Sequence, residues 1–270
     1  MPPLAPRWPL PPFVQGSMAL HAGAAVALAA APSGWPWALG AVVANHLALT
    51  AAGLWPRSAL LGPNVTRLPG TAPLLAITID DGPDAEVTPA VLDLLAEHGA
   101  RATFFCIAER AREQPALVRR IVAGGHSVQN HSRHHRHHFS LQGGAALERE
   151  IAGAQALLSD ITGRRPHAFR APAGLRNPLL DPVLHRLNLH LVSWTRRGFD
   201  TRDADAPRVL GRLTKDLAAG DIVLLHDGHA RRTAAGRPVV LEVLPALLQA
   251  VRRAGLEPVT LDQALPPRLP

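Results

Sequence analysis

The 270-residue chain has no tyrosine, a single cysteine and only 4% aromatic residues. One cysteine excludes an intrachain disulfide and a zinc cluster built on thiolates, and Cys106, inside the apolar run ATFFCIA, reads as a buried core thiol. The shortage of aromatics removes the stacking platforms that single-stranded nucleic acid needs. Lys plus Arg total 28 against 21 Asp plus Glu, a net charge of +7 with a pI near 11.2. The arginines are scattered and no nucleic-acid motif is present, so no nucleic-acid partner is expected. The basic charge suits anionic lipid or an acidic glycan carrier instead.

Charge is also missing locally. From Ser17 to Trp55 there is no Asp, Glu, Lys or Arg. Two apolar stretches, Met18 to Ala31 and Trp35 to Trp55, flank the breaker Pro32-Ser33-Gly34-Trp35-Pro36, which predicts a helical hairpin over about residues 13–31 and 35–55. The second stretch is long enough to cross a bilayer; the first is so only if it begins near Phe13. A single span and a cleaved signal peptide are the rivals, but Arg7 is the only early positive charge and prolines crowd the start. Arg7, Arg57 and Arg67 fall on one side of a double crossing and the turn carries no charge, so the positive-inside rule predicts that the chain beyond the hairpin faces the cytoplasm, the hairpin being placed in a bacterial-type inner membrane. Residues 1–70 are thus read as a membrane-associated segment and linker, 71–265 as the main folded domain and 266–270 as a tail.

From Leu74 onward short apolar runs alternate with helix-spaced segments, the signature of β/α units on a largely parallel sheet or barrel. LLAITI, ATFFCI, HSVQN, HAFRA, LHLVSW, DIVLLH and EPVTL are the strand candidates; Pro89 to Glu97, Pro115 to Val122, Ala145 to Leu158 and Pro238 to Arg252 are helix candidates. Titratable residues gather where strands end, and in β/α folds those ends converge on the active site.

In ITIDDGPD a strand ends in Asp80 and Asp81, adjacent carboxylates that repel unless a cation is near; two solvated acids in a turn is the plainer alternative. In GGHSVQNHSRHHRHH, His131 and His135 are four apart, which would bring two imidazoles together on one helical turn. Two imidazoles and a carboxylate are a common ligand set for a catalytic ion with an open position. His134 and His138 share the spacing, so the count of histidines does not choose between the pairs.

These residues resemble the polysaccharide deacetylases with the NodB-homology domain, carbohydrate esterase family 4, through motifs spread in order over Leu74 to Asp262. Asp80-Asp81-Gly82-Pro83 matches the first motif, His131-Ser132-Arg133-His134-His135 the second, Arg170-x-Pro172-x-Gly174 the third and Leu224-Leu225-His226 the fifth. Asp200 in WTRRGFDTRD aligns with a fourth-motif aspartate, with Asp203 and Asp205 as neighbouring alternatives. The resemblance implies an α/β fold, a distorted (β/α)7-type barrel preceded by the apolar hairpin. It implies a divalent metal, zinc first with cobalt, nickel and manganese as alternatives, held by Asp81, His131 and His135. It further implies Asp80 as general base, His226 as general acid, Arg170 and Asp200 supporting them, and the Ala173 backbone N–H at the oxyanion. Asp84 and Asp227 are expected to shape loops.

The implied activity is removal of an N-acyl group, acetyl first, from an amino sugar in a glycan or a lipid-linked intermediate at a membrane surface. A non-catalytic metal- or glycan-binding protein of the same fold is the alternative from another class, and a deformylase or O-esterase the alternatives within it. Three departures from the family bear on substrate: Ile79 before the aspartate pair, Ala173 in place of Tyr, and Thr201 in place of Trp. With fewer aromatic walls, and only Trp194 and Phe199 in compensation, extended chitin-like chains are expected to be poor substrates.

Overall fold

A computed structural model describes residues 8–267. Arg7 and residues 268–270 of the expected tail lie outside the described residues. The chain opens with helices α1 (Pro12–Ala30) and α2 (Trp35–Leu54). Then follow β1 (Leu74–Asp80), α3 (Val87–Glu97), β2 (Thr103–Cys106), α4 (Ala108–Glu113), α5 (Pro115–Ala123) and β3 (Ser127–Asn130). The middle holds α6 (Gly144–Thr162), β4 (Ala168–Phe169), α7 (Leu180–Arg186), β5 (His190–Leu191) and β6 (Arg196–Arg197). The chain closes with α8 (Ala206–Thr214), β7 (Ile222–His226), α9 (Val239–Arg253), β8 (Glu257–Val259) and α10 (Leu261–Ala264).

All strand pairings named here are parallel, and the sheet runs β5-β4-β3-β2-β1-β7-β6 with β8 joined to β1 off that path. The result is a curled parallel sheet that is a distorted barrel with helices outside it. Every predicted strand is present; β6 was not foreseen, because two arginines in a two-residue strand give no apolar period to read.

The alternation along β1 sorts its side chains. Leu75, Ile77 and Ile79 join α3, α5, α6, α8 and α9 in the outer core, whereas Ala76 packs inside the curl with Phe105, Val192, Trp194, Ile222 and Leu224. Thr78 also faces inward, its hydroxyl donating to Val223 O at 2.7 Å. By the same period Asp80 points inward at the strand's C-terminal end. Parallel register then sets Asp80 beside His226 of β7 and beside Phe105 of β2.

Helices α1 and α2 form the expected hairpin and are long and apolar enough to cross a membrane, with mean hydropathy 1.4 for each span. Their few polar side chains meet each other: Asn45 donates to Ser17 Oγ at 2.8 Å, and His21 Nε2 lies 3.2 Å from His46 Nε2. The base of α2 is fastened to the barrel. Arg176 N–H donates to Gly53 O at 3.1 Å and Ser193 Oγ to Pro56 O at 2.6 Å. Gly53 has no room for a side chain, since a Cβ there would sit 2.3 Å from Arg176 O.

Candidate active site

The C-terminal ends of β1, β3 and β7 deliver Asp80 and Asp81, His131 and His226 to one pocket, and Arg170, just past β4, lies behind Asp80. Asp80, Asp81, His131, Arg170 and His226 are all buried, each at most 6% exposed. The pocket, about 180 Å³, is also lined by His135, Ala173, Trp194, Arg197, Thr201, Arg202 and His229.

Arg170 is 1% exposed and fully engaged. Its NH1 donates to Asp80 Oδ1 at 2.6 Å and to Thr78 Oγ1 at 2.8 Å, its NH2 to Ser193 O at 2.9 Å and its Nε to Val192 O at 3.2 Å. Its guanidinium also lies 4.1 Å from the centre of the Phe105 ring. A cation so fixed keeps the Asp80 carboxylate in one orientation, with Oδ2 turned toward His131 Nε2 at 3.8 Å.

Asp81 sits just past the strand with φ of 74°, a left-handed conformation that turns its side chain into the same pocket as Asp80 instead of the opposite face. Its Oδ1 is buried, lies 3.2 Å from both His131 Nε2 and His135 Nε2, and makes no hydrogen bond. One oxygen and two ring nitrogens, all within 4.8 Å of one another, fit a divalent cation. The unsatisfied carboxylate oxygen is the second mark of such a site, since a buried acceptor without a donor is costly. His131 Nδ1 faces Arg170 O at 2.8 Å, which orients Nε2 toward Asp81.

The expected helical turn linking His131 to His135 is absent: the segment is an irregular loop after β3. Ser132 and His135 have φ of 65° and 52°, outside the right-handed helical region. Asn130 explains the departure, because its side-chain oxygen accepts the Ser132 N–H at 2.9 Å and Ser132 Oγ accepts the His135 N–H at 3.0 Å. The same loop turns His134 outward to Glu150 at 2.7 Å, and leaves His138 exposed outside the pocket.

Asp200 is 0% exposed and meets His226 twice, accepting the backbone N–H at 2.7 Å and facing ring Nδ1 at 2.9 Å. Asp203 instead pairs with Arg212 at 2.8 Å, and Asp205 caps α8 by accepting Arg208 N–H at 2.8 Å. Burial alone would lower the His226 imidazole, but the Asp200 charge and hydrogen bond, with smaller help from Asp80 and Asp81, raise it to about 9. With Nδ1 on Asp200, Nε2 is left for the pocket. Burial lowers His135 to about 4, aided by the charge of His131, which favours the neutral ring that a metal requires. Burial works to raise the Asp81 carboxyl, yet the imidazoles of His131 and His229 and the charge of His226 hold it well below the usual carboxylate range.

Ala173 lines the pocket in a short turn with φ of 55°. Asp84 folds the loop into α3, accepting the Glu86 and Val87 N–H groups at 2.9 Å each. Asp227 is buried under Gly82, accepts from Thr88 Oγ1 at 2.5 Å, and is raised to about 7 chiefly by burial.

Three pocket residues went unforeseen: His229, Arg197 and Arg202. His229 Nδ1 lies 2.8 Å from Asp81 Oδ2, and Arg110 NH2 donates to His229 Nε2 at 3.0 Å. A guanidinium can only donate, so His229 Nε2 accepts and its proton is on Nδ1, facing Asp81. Arg110 NH1 also donates to Asp81 O at 2.8 Å and Gly228 O at 3.1 Å, a packing that admits only glycine at 228. The sequence holds 14 histidines, and nothing local sets His229 apart.

Comparison with known proteins bears on this arrangement. Residues 68–192 match the family model described as polysaccharide deacetylase. The chain is 36% identical to a chitooligosaccharide deacetylase of Azorhizobium caulinodans, over 66% of this chain and 88% of the relative. It is 32% identical to a peptidoglycan-N-acetylglucosamine deacetylase of Bacillus cereus, over 73% of this chain and 91% of the relative. A solved family 4 carbohydrate esterase from Streptomyces lividans, in complex with acetate, superposes with a TM-score of 0.65 at 28% identity, covering 74% of this chain and 98% of that one.

Proposed function

The chain belongs to the polysaccharide deacetylase family, hydrolases of the carbohydrate esterase family 4 kind, and on that footing we propose that it removes the N-acetyl group of an amino sugar carried on a lipid. The observation that carries the chemistry is the buried Asp81 Oδ1, facing His131 and His135 at 3.2 Å each without a hydrogen bond. A divalent cation there, zinc first, would supply Lewis-acid polarisation of the amide carbonyl and of the attacking water. His229 would position Asp81 by holding its Oδ2, which leaves Oδ1 free for the ion.

The chain's own residues do the proton work. Asp80, aimed by Arg170, takes a proton from water as it attacks the acyl carbon. The N–H of Ala173, a pocket-lining residue, would donate to the carbonyl oxygen as negative charge grows there. His226, held protonated by Asp200, gives its Nε2 proton to the amine nitrogen as the carbon–nitrogen bond breaks. The products are acetate and the free amine.

The lipid carrier is inferred from the hairpin. Two helices with mean hydropathy 1.4 continue into a base that is hydrogen-bonded to the catalytic domain, and Pro56 lies against Gly174 beside the pocket. Such a base supports a retained membrane anchor and brings the site close to the bilayer surface. The orientation inferred from Arg57 and Arg67 is cytoplasmic. Calorimetric titration of the metal-free chain with zinc tests the site: one ion should bind wild type, and His135→Ala should lose at least tenfold in affinity. Binding undisturbed by substitution at both His131 and His135 would refute it.

A further inference from the structure

The catalytic pocket holds two arginines that the reaction does not use. Arg197, on β6, and Arg202, in the turn that follows, both line it. Their neighbours are all matched. Arg170 is paired with Asp80, Arg196 with Asp221, Arg208 with Asp203 and Asp205, and Arg212 with Asp203. Among the described residues neither Arg197 nor Arg202 has a salt bridge, and Arg197 Nε is buried without a hydrogen-bond partner.

Arg197 is also built into place. Its guanidinium carbon lies 5.3 Å from the Trp194 ring centre and 5.0 Å from that of Phe199. Stacking of this kind uses the faces of the guanidinium and leaves its in-plane N–H groups for a ligand. Phe199 has a φ of 63°, uncommon for a bulky residue. Burial weakens the hold of Arg197 on its proton, opposed first by the charge of Asp200. A half-buried cation with unused donors is costly unless an anion completes it.

We propose that Arg197, with Arg202 beside it, binds an oxyanion carried on the same sugar as the scissile N-acyl group, making an anionic amino sugar the preferred substrate. The inference rests on the deacetylase reading and deepens it. Arg197 and Arg202 line the same pocket as Asp80, Asp81 and His226, so the anion they would hold is carried beside the scissile group, on the substituents of that sugar. A phosphate ester at the anomeric carbon and a carboxylate on a ring substituent both supply the bidentate acceptor that a guanidinium fits.

The test uses the full-length, zinc-loaded chain in detergent with N-acetylglucosamine, N-acetylglucosamine 1-phosphate and N-acetylmuramic acid. Acetate release gives kcat/KM for each, and calorimetry gives binding of each whether or not turnover occurs. The expected result is a preference of at least about tenfold for an anionic sugar over the neutral one, carried mainly in KM. In Arg197→Gln that ratio should collapse by a similar factor, while Arg197→Lys should restore part of it. The phosphate and carboxylate arms tell which anion is meant. Equal binding and turnover of neutral and anionic sugars by wild type would overturn the inference and leave the deacetylase standing. So would a preference that survives Arg197→Gln. Binding of an anionic sugar that Arg197→Gln abolishes, with no acetate released from any of the three, would uphold the anion site and count against the deacetylase reading.

Discussion

Replacing Asp200 with Asn removes a charge from His226 while keeping the side chain's size. His226 is raised from its ordinary 6.5 to about 9, and Asp200 is the largest of the influences that raise it. Taken at ~1.4 kcal/mol per pH unit, that gap is worth about 3 kcal/mol of preference for the protonated ring. In Asp200→Asn, burial is no longer offset and the imidazole should fall to its ordinary value or below. At pH 8 a ring raised to about 9 is nine-tenths protonated, whereas one at 6.5 is about 3% protonated, so acid catalysis should drop roughly 30-fold. At pH 6 the same substitution should cost about twofold or less through protonation alone. A cation beside Asp81 would offset some of the smaller contributions of Asp80 and Asp81, and leaves that of Asp200 in place. The assay is the ratio of mutant to wild-type kcat/KM for acetate release between pH 5.5 and 9.5, which cancels effects common to both proteins. A ratio independent of pH, or an alkaline limb unmoved by the substitution, would refute the assignment of His226 as the acid tuned by Asp200. The linkage has a stability face of the same sign. A raised imidazole stabilises the fold fully below about 6.5, and its contribution is lost as pH rises through about 9, so chemical denaturation should show wild type losing up to about 3 kcal/mol across that window relative to Asp200→Asn.

Three further outcomes are expected. His229→Ala should weaken zinc binding about tenfold or more by releasing Asp81 Oδ2, and His229→Asn, which keeps a donor near the Nδ1 position, should recover much of it in the same calorimetric titration. Arg170→Met leaves Asp80 buried without its cation and should destabilise the fold by about 3–5 kcal/mol, which urea denaturation measures; a loss below about 1 kcal/mol would count against the pair. Long chitooligosaccharides should be turned over slowly relative to short or lipid-linked sugars, because Ile79 is buried and Ala173 adds no aromatic wall; rapid release of acetate from long chains would count against this.

The parts of this fold that repeat a simple period could be read before any coordinates. In β1 the short apolar run marks the strand and the place where Asp80 emerges, whereas its inward face is seen only in the packing. The hairpin is legible because charge is absent over a long span. What escaped rests on contacts between distant residues or on local backbone choices. The 131–135 segment has helical spacing, yet the Asn130 and Ser132 side chains fold it as a loop. His229 reaches Asp81 across 148 positions of sequence. Asp200, Asp203 and Asp205 look alike in one dimension, and only the return of the chain through β7 sets Asp200 against His226 while the other two serve α8.

The central claim is metal-dependent removal of an acetyl group from an amino sugar. Its most direct test is acetate release from a panel of soluble and lipid-linked N-acetylamino sugars by the zinc-loaded chain, the chelated chain and Asp80→Asn. Release that disappears on chelation, returns with zinc and is lost in Asp80→Asn despite full zinc occupancy is the predicted result. Release that persists under chelation, or that Asp80→Asn leaves intact, would contradict the account.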